Sequence, residues 1–420
     1  MECALGIDFG TSGARAIAID TAGEIRSQAE SPFTPSATAN PATWREALFA
    51  LLETTRQQLP QGAIVSRIAI NGTSATVLLC DASGEPVVPP LLYNDGSGAA
   101  VLDKVTEIAP ANHTVVSATS SFAKLLWWLE GGATKSEYFF LHQADWLAFL
   151  LHGQLGISDY HNALKLGCDP VNLWYPKWLV EGIHRIANGR VPQLPRVVAP
   201  GTPIGQLIPD IAHRFGFSLQ CLVCAGTTDS IAACLASGVQ HPGEAVTSLG
   251  STIVLKLLSR SRIEDSRYGI YSHRLGNLWL TGGASNAGGA VLRNFFTDAE
   301  LATLSDRLPD TESSLNYYPL TQPGERFPIN DPQYPPKLEP RPDDPVAFLH
   351  GLLESLARIE ARGYQLLQQL GATPISRVYT AGGGAKNAPW SRIRHRHLRV
   401  PILQSPHTEA AYGTALLAQN

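Results

Sequence analysis

The sequence predicts an α/β protein built as two similar halves, and three observations carry that prediction. A tight turn of small residues joins two apolar strand-like runs at the start of the chain, and the same design recurs near the middle. Each half later sends a buried-strand pattern into a glycine-containing turn and then into a helical run. Finally, 420 residues are too many for one core, so two domains are expected, 1–236 and 237–408, with a last helix over 409–420.

Taken in order, Ala4-Leu5-Gly6-Ile7 reads as a buried strand. The turn Asp8-Phe9-Gly10-Thr11-Ser12-Gly13 and the run Ala14 to Ile19 complete a hairpin. Pro41 to Gln58 reads as a helix with Asn40 as cap and Pro41 in first position. Arg67 to Cys80 reads as strand, turn (Gly72-Thr73-Ser74) and strand, while Lys124–Leu129 and Asp145–Leu151 read as buried helices. The central repeat is Ala245 to Leu249, the turn Gly250-Ser251-Thr252, then Ile253 to Leu257. A deeper correspondence is expected between Cys221–Ala225 with Gly226-Thr227-Thr228-Asp229 and Val378–Ala381 with Gly382-Gly383-Gly384. The plainest helix runs from Pro345 to Leu370, with Asp344 as cap and Leu352, Leu356, Ile359, Leu366 and Leu370 on one stripe. The proline-rich stretch 323–345 reads as a surface excursion or linker, and Thr408 to Asn420 as a capped terminal helix.

Composition narrows the function. A net charge of -4 without a broad basic face disfavours nucleic acid. The cluster Arg392 to Arg399 reads as the wet face of a helix. No apolar run approaches membrane-spanning length, and no signal-like segment opens the chain, so a cytosolic setting without a membrane partner is expected. Of the six cysteines only Cys221 and Cys224 have ligand-like spacing, and no second pair completes a metal site; both read as core residues in a reducing compartment.

The turns carry the chemistry. Backbone N–H groups in a glycine turn form an anion-binding concavity, and Thr11 and Ser12 add hydroxyl donors. Asp8 cannot itself bind phosphate, but a carboxylate at that strand end suits Mg²⁺. Gly250-Ser251-Thr252 is a candidate second phosphate turn, and Gly382-Gly383-Gly384 lets the backbone approach a flat ligand. There is no Gly-x-x-x-x-Gly-Lys-Ser/Thr segment, so this is not a P-loop protein. Asp229 ends a buried strand at a helix entrance, where open α/β sheets bind ligands. Thr227 and Thr228 are available as caps, which leaves Asp229 for general-base work on a hydroxyl.

These residues resemble the FGGY carbohydrate kinases over essentially the whole chain. The motifs are Ile7 to Ser12, Gly226 to Asp229, Ser248 to Thr252, Ala381 to Asn387 and Glu409 to Ala415. Asp159 to Gly167 and Gly324 to Ile329 look most similar to the short pentulose kinases of the ribulose/xylulose type. The resemblance implies two actin-like (ribonuclease H-like) domains with mixed sheets around a central cleft that closes on substrate. The first domain would hold the sugar and the second the adenine nucleotide, with the helix 409–420 packing back on the first. It implies Asp229 as catalytic base and Asp8 beside Mg²⁺ and the transferred phosphate, with Thr11, Ser12, Gly250, Ser251 and Thr252 at the phosphates. Gly383, Gly384, Asn387 and Trp390 would line the adenosine pocket, and Ser74 and Asp95 would face the sugar. The family's aromatic-x-Asp-x-Arg pattern reads here Tyr93-Asn94-Asp95-Gly96-Ser97, without the Arg. The expected function is ATP-dependent phosphorylation of D-ribulose to D-ribulose 5-phosphate. D-Xylulose is the alternative acceptor, and a sugar-independent actin-like ATPase switch the alternative class. The expected assembly is a monomer or weak homodimer.

Overall fold

The apolar runs and glycine turns become two six-stranded mixed sheets, one in each of two units. The computed structural model describes residues 1–34, 38–187 and 189–419. Unit 1 comprises Met1–Ala236 and Glu409–Asn420; unit 2 comprises Ser237–Thr408.

Unit 1 begins with β1 (Glu2–Phe9), β2 (Gly13–Asp20), β3 (Ile25–Pro32), α1 (Pro41–Gln58), β4 (Ile64–Gly72) and β5 (Val77–Cys80). It continues through α2 (Leu102–Ile108), α3 (Ser121–Glu130), β6 (Phe139–His142), α4 (Gln143–His152), β7 (Ile157–Asp159) and α5 (Lys177–Ala187). It then runs through β8 (Arg196–Val198), β9 (Pro203–Gln206), α6 (Pro209–Phe215), β10 (Leu222–Thr228) and α7 (Asp229–Ala236). The sheet order is β3-β2-β1-β4-β10-β9, with β1, β4 and β10 parallel. Asn40 caps α1, its side chain accepting from the Ala42 N–H at 3.0 Å. Trp44, Leu48, Leu51 and Leu52 of α1 and Trp146 of α4 bury against the sheet in one core. The expected strand–turn–strand over 67–80 is present as β4, the turn after Gly72 and β5, but β5 leaves the main sheet and pairs with β6 rather than β4. With α2, α3 and α5 it forms a second core around Leu125, Leu126, Leu129 and Phe140.

Unit 2 contains β11 (Glu244–Leu249), β12 (Ile253–Ser259), β13 (Tyr271–Leu275), β14 (Leu278–Ser285), α8 (Gly289–Arg293) and α9 (Asp298–Ser305). After α10 (Pro345–Gln369) come β15 (Arg377–Ala381), α11 (Ala388–Leu398) and β16 (Ile402–Gln404). The sheet order is β13-β14-β12-β11-β15-β16, with β11, β15 and β16 parallel. The strand next to the hairpin is therefore β4 in unit 1 and β15 in unit 2. This corrects the expected correspondence of β10 with β15: topologically β15 matches β4, and β10 matches β16. A glycine turn after a buried strand is local, whereas strand order is set by pairing across the sheet.

The cluster Arg392–Arg399 is not wholly solvated. Arg394 of α11 is 0% exposed. Its guanidinium donates to both oxygens of Glu360 on α10, each at 2.7 Å, and to Thr380 Oγ1 at 2.7 Å. Glu360 also accepts from Thr247 Oγ1 of β11 at 2.5 Å. One buried network thus ties α10, α11, β11 and β15. The stretch 323–345 belongs to unit 2 and is anchored rather than a linker. Glu325 is buried and accepts from Ser285 Oγ (2.6 Å), Asn286 N (2.7 Å) and Tyr318 OH (2.9 Å). Phe327 is buried with the α10 core.

The last helix, α12 (Ala410–Gln419), packs within unit 1 against β1 and α7; Asn420, where the expected helix ended, lies outside the described residues. Close approach requires glycines here. A Cβ at Gly6 would lie 2.1 Å from Ala411 O, and one at Gly413 would lie 1.8 Å from Ala232 O. Asn71 at the end of β4 donates to Thr414 Oγ1 of α12 at 2.6 Å. No helix of the described residues is long and apolar enough to cross a membrane.

Candidate functional site

In unit 1 the candidate residues collect at the carboxyl ends of β1, β4 and β10. Burial of β1 on both faces carries Asp8 inward, where it pairs in register with Arg15 of β2 and Asn71 of β4. Asp8 is 6% exposed and its Oδ1 has no hydrogen-bond partner among the described residues. Burial, and then the nearby Asp229 carboxylate, push the Asp8 carboxyl up to about 7, with Arg15 opposing. The following turn is closed by Gly10 N–H donating to Gly13 O at 3.0 Å and Phe33 N–H donating to Ser12 O at 3.0 Å. Thr11 and Ser12 are exposed, and their hydroxyls make no hydrogen bond within the described residues.

Asp229 is the first residue of α7 and half-buried, its Oδ1 accepting from the Ser230 N–H at 2.7 Å. The threonines before it do not cap the helix as expected. Thr227 Oγ1 is engaged by His161 Nδ1 at 2.8 Å, and Thr228 Oγ1 is buried without a hydrogen-bond partner among the described residues. Packing drives this, since both threonines are 0% exposed. His161 belongs to a group that the sequence reading did not single out for chemistry. Asn162 donates to Asp159 Oδ2 (2.6 Å) and to Thr227 O (3.1 Å), fastening the end of β10 just before Asp229. The signal available was their run in Asp159-Tyr160-His161-Asn162, polar residues inside a buried stretch.

Ser74 and Asp95 lie on two neighbouring segments of the same unit. The turn 73–76 is held by Thr76 N–H donating to Thr73 O at 3.2 Å, and its Ala75 has φ 66°. Asp95 Oδ1 accepts from the Ser97 N–H at 2.8 Å. Lys124 of α3 donates to Ala75 O at 2.8 Å and to Leu92 O at 2.5 Å, bridging the two segments. A lysine within Phe122-Ala123-Lys124-Leu125-Leu126 was the one sequence signal for it.

In unit 2 the candidates follow β11 and β15. The turn 250–252 closes with Gly250 N–H on Thr252 O at 3.2 Å, and the start of α8 seals it through Gly289 N–H on Gly250 O at 2.9 Å. Gly382 has φ 82°, and a Cβ there would sit 2.7 Å from Leu249 O, so this turn requires glycine on both counts. Gly383 is exposed with nothing within 4 Å of a built Cβ, whereas a Cβ on Gly384 would lie 2.7 Å from Leu249 Cβ and 2.7 Å from Trp390 Cζ3. Asn387 caps α11, accepting from Trp390 N–H at 2.9 Å, and its amide donates to Ser305 Oγ at 2.8 Å. Trp390 is 3% exposed within the unit 2 core, supporting the glycine turn from beneath.

A buried acid next to a second acid, beside a turn with exposed hydroxyls, is an arrangement for taking a proton near a bound anion. Comparison with known proteins gives the same direction. The profile of the FGGY family of carbohydrate kinases, N-terminal domain, matches residues 3–236, and that of its C-terminal domain matches residues 245–419. A xylulose kinase of Streptomyces rubiginosus is 30% identical over 279 residues, covering 62% of this chain and 55% of that protein. A xylulose kinase of Staphylococcus epidermidis is 22% identical over 449 residues, covering 99% of this chain and 87% of that protein. The crystal structure of xylulose kinase from Rhodospirillum rubrum shares the fold, with a TM-score of 0.84 at 21% identity over 99% of this chain and 89% of that one. With both domain profiles matched along nearly its full length, the chain belongs to the FGGY family of carbohydrate kinases, phosphotransferases with an alcohol acceptor that use ATP.

Proposed function

We propose that the chain phosphorylates a pentulose from ATP, with unit 1 as the acceptor side and unit 2 as the adenine-nucleotide side. The sequence alone put D-ribulose first; relatives named xylulose kinases match the chain, beside others named gluconokinases, so D-xylulose stands level with it. The observation that carries the reading is the pairing of Asp229 with the buried Asp8 at the ends of β10 and β1.

In this reading Asp229 takes the proton from the acceptor hydroxyl as its oxygen bonds to the γ-phosphorus and the bond to the ADP oxygen breaks. The amides of the 10–13 turn and the hydroxyls of Thr11 and Ser12 hold the transferring group, with Gly250, Ser251 and Thr252 as further phosphate contacts. Gly383 and Gly384 leave space for the adenosine, while Asn387 and Trp390 support that turn from the α11 side. Ser74 and Asp95 orient the sugar. Asp8 fits a Mg²⁺ ligand, because its buried Oδ1 lacks a partner and its carboxyl is held up by burial and a second acid, a set that a cation would relieve. Such an ion, when bound, supplies charge neutralisation on the phosphates. Six buried free cysteines fit a cytosolic setting.

The test is ADP release with and without D-ribulose, D-xylulose and a set of polyols, in wild type and Asp229→Asn. Sugar-dependent ADP formation that the substitution abolishes supports the reading. An ATPase rate that no acceptor raises would instead leave the nucleotide-switch class.

A further inference from the structure

We infer that Lys124 is a positioning residue for the acceptor, its ammonium locking the Ser74–Ala75 turn to the Leu92–Asp95 segment and presenting a positive charge beside Asp95. The inference rests on the pentulose-kinase reading above and deepens its acceptor side.

Lys124 is 0% exposed in the middle of α3, among Phe122, Ala123, Leu125 and Leu126, each also 0% exposed. A buried ammonium is costly unless its protons are used, and an apolar side chain of similar length would pack here without that cost. Its protons are used in a particular way. They reach two backbone carbonyls, Ala75 O at 2.8 Å and Leu92 O at 2.5 Å, on segments 17 residues apart in the chain. One follows Ser74 directly and the other opens the segment that carries Asp95. Ala75 holds a left-handed φ of 66°, a conformation unfavourable for a residue with a Cβ. The bond to its carbonyl helps to hold that shape, and with it the direction of Ser74.

The charge has a counterpart as well as the geometry. Residues 93–97 contain no cation of their own. Asp95 spends Oδ1 on the Ser97 N–H, and its other oxygen makes no hydrogen bond to a described residue. Burial pushes the Lys124 amine down to about 8, Asp95 raises it and Lys165 lowers it further. These two are the charged groups that act on it. Lys124 makes no bond to Asp8, Asp229 or the 10–13 turn, so its effect is directed at acceptor binding rather than at ATP.

The experiment is steady-state kinetics of Lys124→Met with the acceptor that wild type uses best from the pentulose and polyol set, varying acceptor and ATP separately. The expected result is an acceptor KM raised about 10-fold or more with ATP KM within about 2-fold. An unchanged acceptor KM, or an equal rise in both, overturns the inference. If Lys124→Met does not fold, wild type decides. Acceptor KM must rise as pH passes about 8 while ATP KM does not, and a flat acceptor KM from about pH 6.5 to about 9.5 overturns it. A wild type that no acceptor stimulates sinks the kinase reading and this inference with it; a normal wild type with an unaffected variant sinks the inference alone.

Discussion

At the carboxyl ends of β1 and β10, unit 1 places two acids, Asp8 and Asp229, with Asp8 buried and lacking a partner on one oxygen. At the matching edge of unit 2, β11 and β15 end in the turns 250–252 and 382–384, which carry no charged side chain, and the buried Arg394 lies deeper, paired with Glu360. Arg394 and Glu360 form a two-pronged ion pair that Thr247 and Thr380 complete. The strand order is shared from the hairpin outward, β3-β2-β1-β4-β10 in one sheet and β14-β12-β11-β15-β16 in the other. The difference teaches that one framework serves two ends. A buried acid beside another acid is the arrangement expected where a ligand binds, whereas a buried acid matched to a guanidinium holds helices to a sheet.

The largest effect that sharpens this contrast is expected at Asp229. Asp229→Asn should lower kcat roughly 10³-fold with little change in melting temperature, read by ADP release and circular dichroism. A comparable loss of stability would place Asp229 with the structural charges instead. Arg394→Met should do the reverse. Leaving Glu360 buried and unpaired should cost about 3–4 kcal/mol in denaturant unfolding. Replacing Glu360 with Leu in the same chain should recover part of that loss, and no recovery would break the assignment of the pair.

A smaller effect is expected in the glycine turn. Gly384→Ala meets Leu249 and Trp390 at 2.7 Å, so ATP KM should rise about 10-fold while acceptor KM holds. An effect on acceptor KM alone would move this turn to the other side of the reaction. The smallest concerns Asp8 and pH. Its folded carboxyl titrates at about 7, above the ordinary value of 3.8, so wild type loses stability as pH rises between them and none beyond. Asp8→Asn in metal-free buffer should therefore be more stable than wild type at pH 8 in denaturant unfolding, with the gap closing by pH 4. An equal gap at both pH values would contradict the electrostatic account of this site.

How far the sequence reached can be told from its own elements. The hairpins at both starts, α1 with its Asn40 cap and α10 ending at Gln369 rather than Leu370 were legible, because caps and periodic apolar residues act within a few residues of one another. Asp8 and Asp229 were legible as candidates, since each sits at the junction of a recognisable strand and turn. The capping roles expected for Thr227 and Thr228 failed because His161, 66 residues earlier in the chain, takes the Thr227 hydroxyl. The wet face expected for Arg392 to Arg399 failed at Arg394 for a similar reason: its partner Glu360 lies on another helix.

The opening hairpin, the glycine turns and the two-half α/β plan were thus determined by the sequence alone, through local sterics and apolar periodicity. Only the tertiary structure decided that β15 answers to β4 rather than to β10, that the Asp229 carboxylate acts on the buried Asp8, and that Lys124 reaches Ala75 and Leu92. Those outcomes depend on pairing and burial between segments far apart in the chain, where charge and hydrogen bonding act through space.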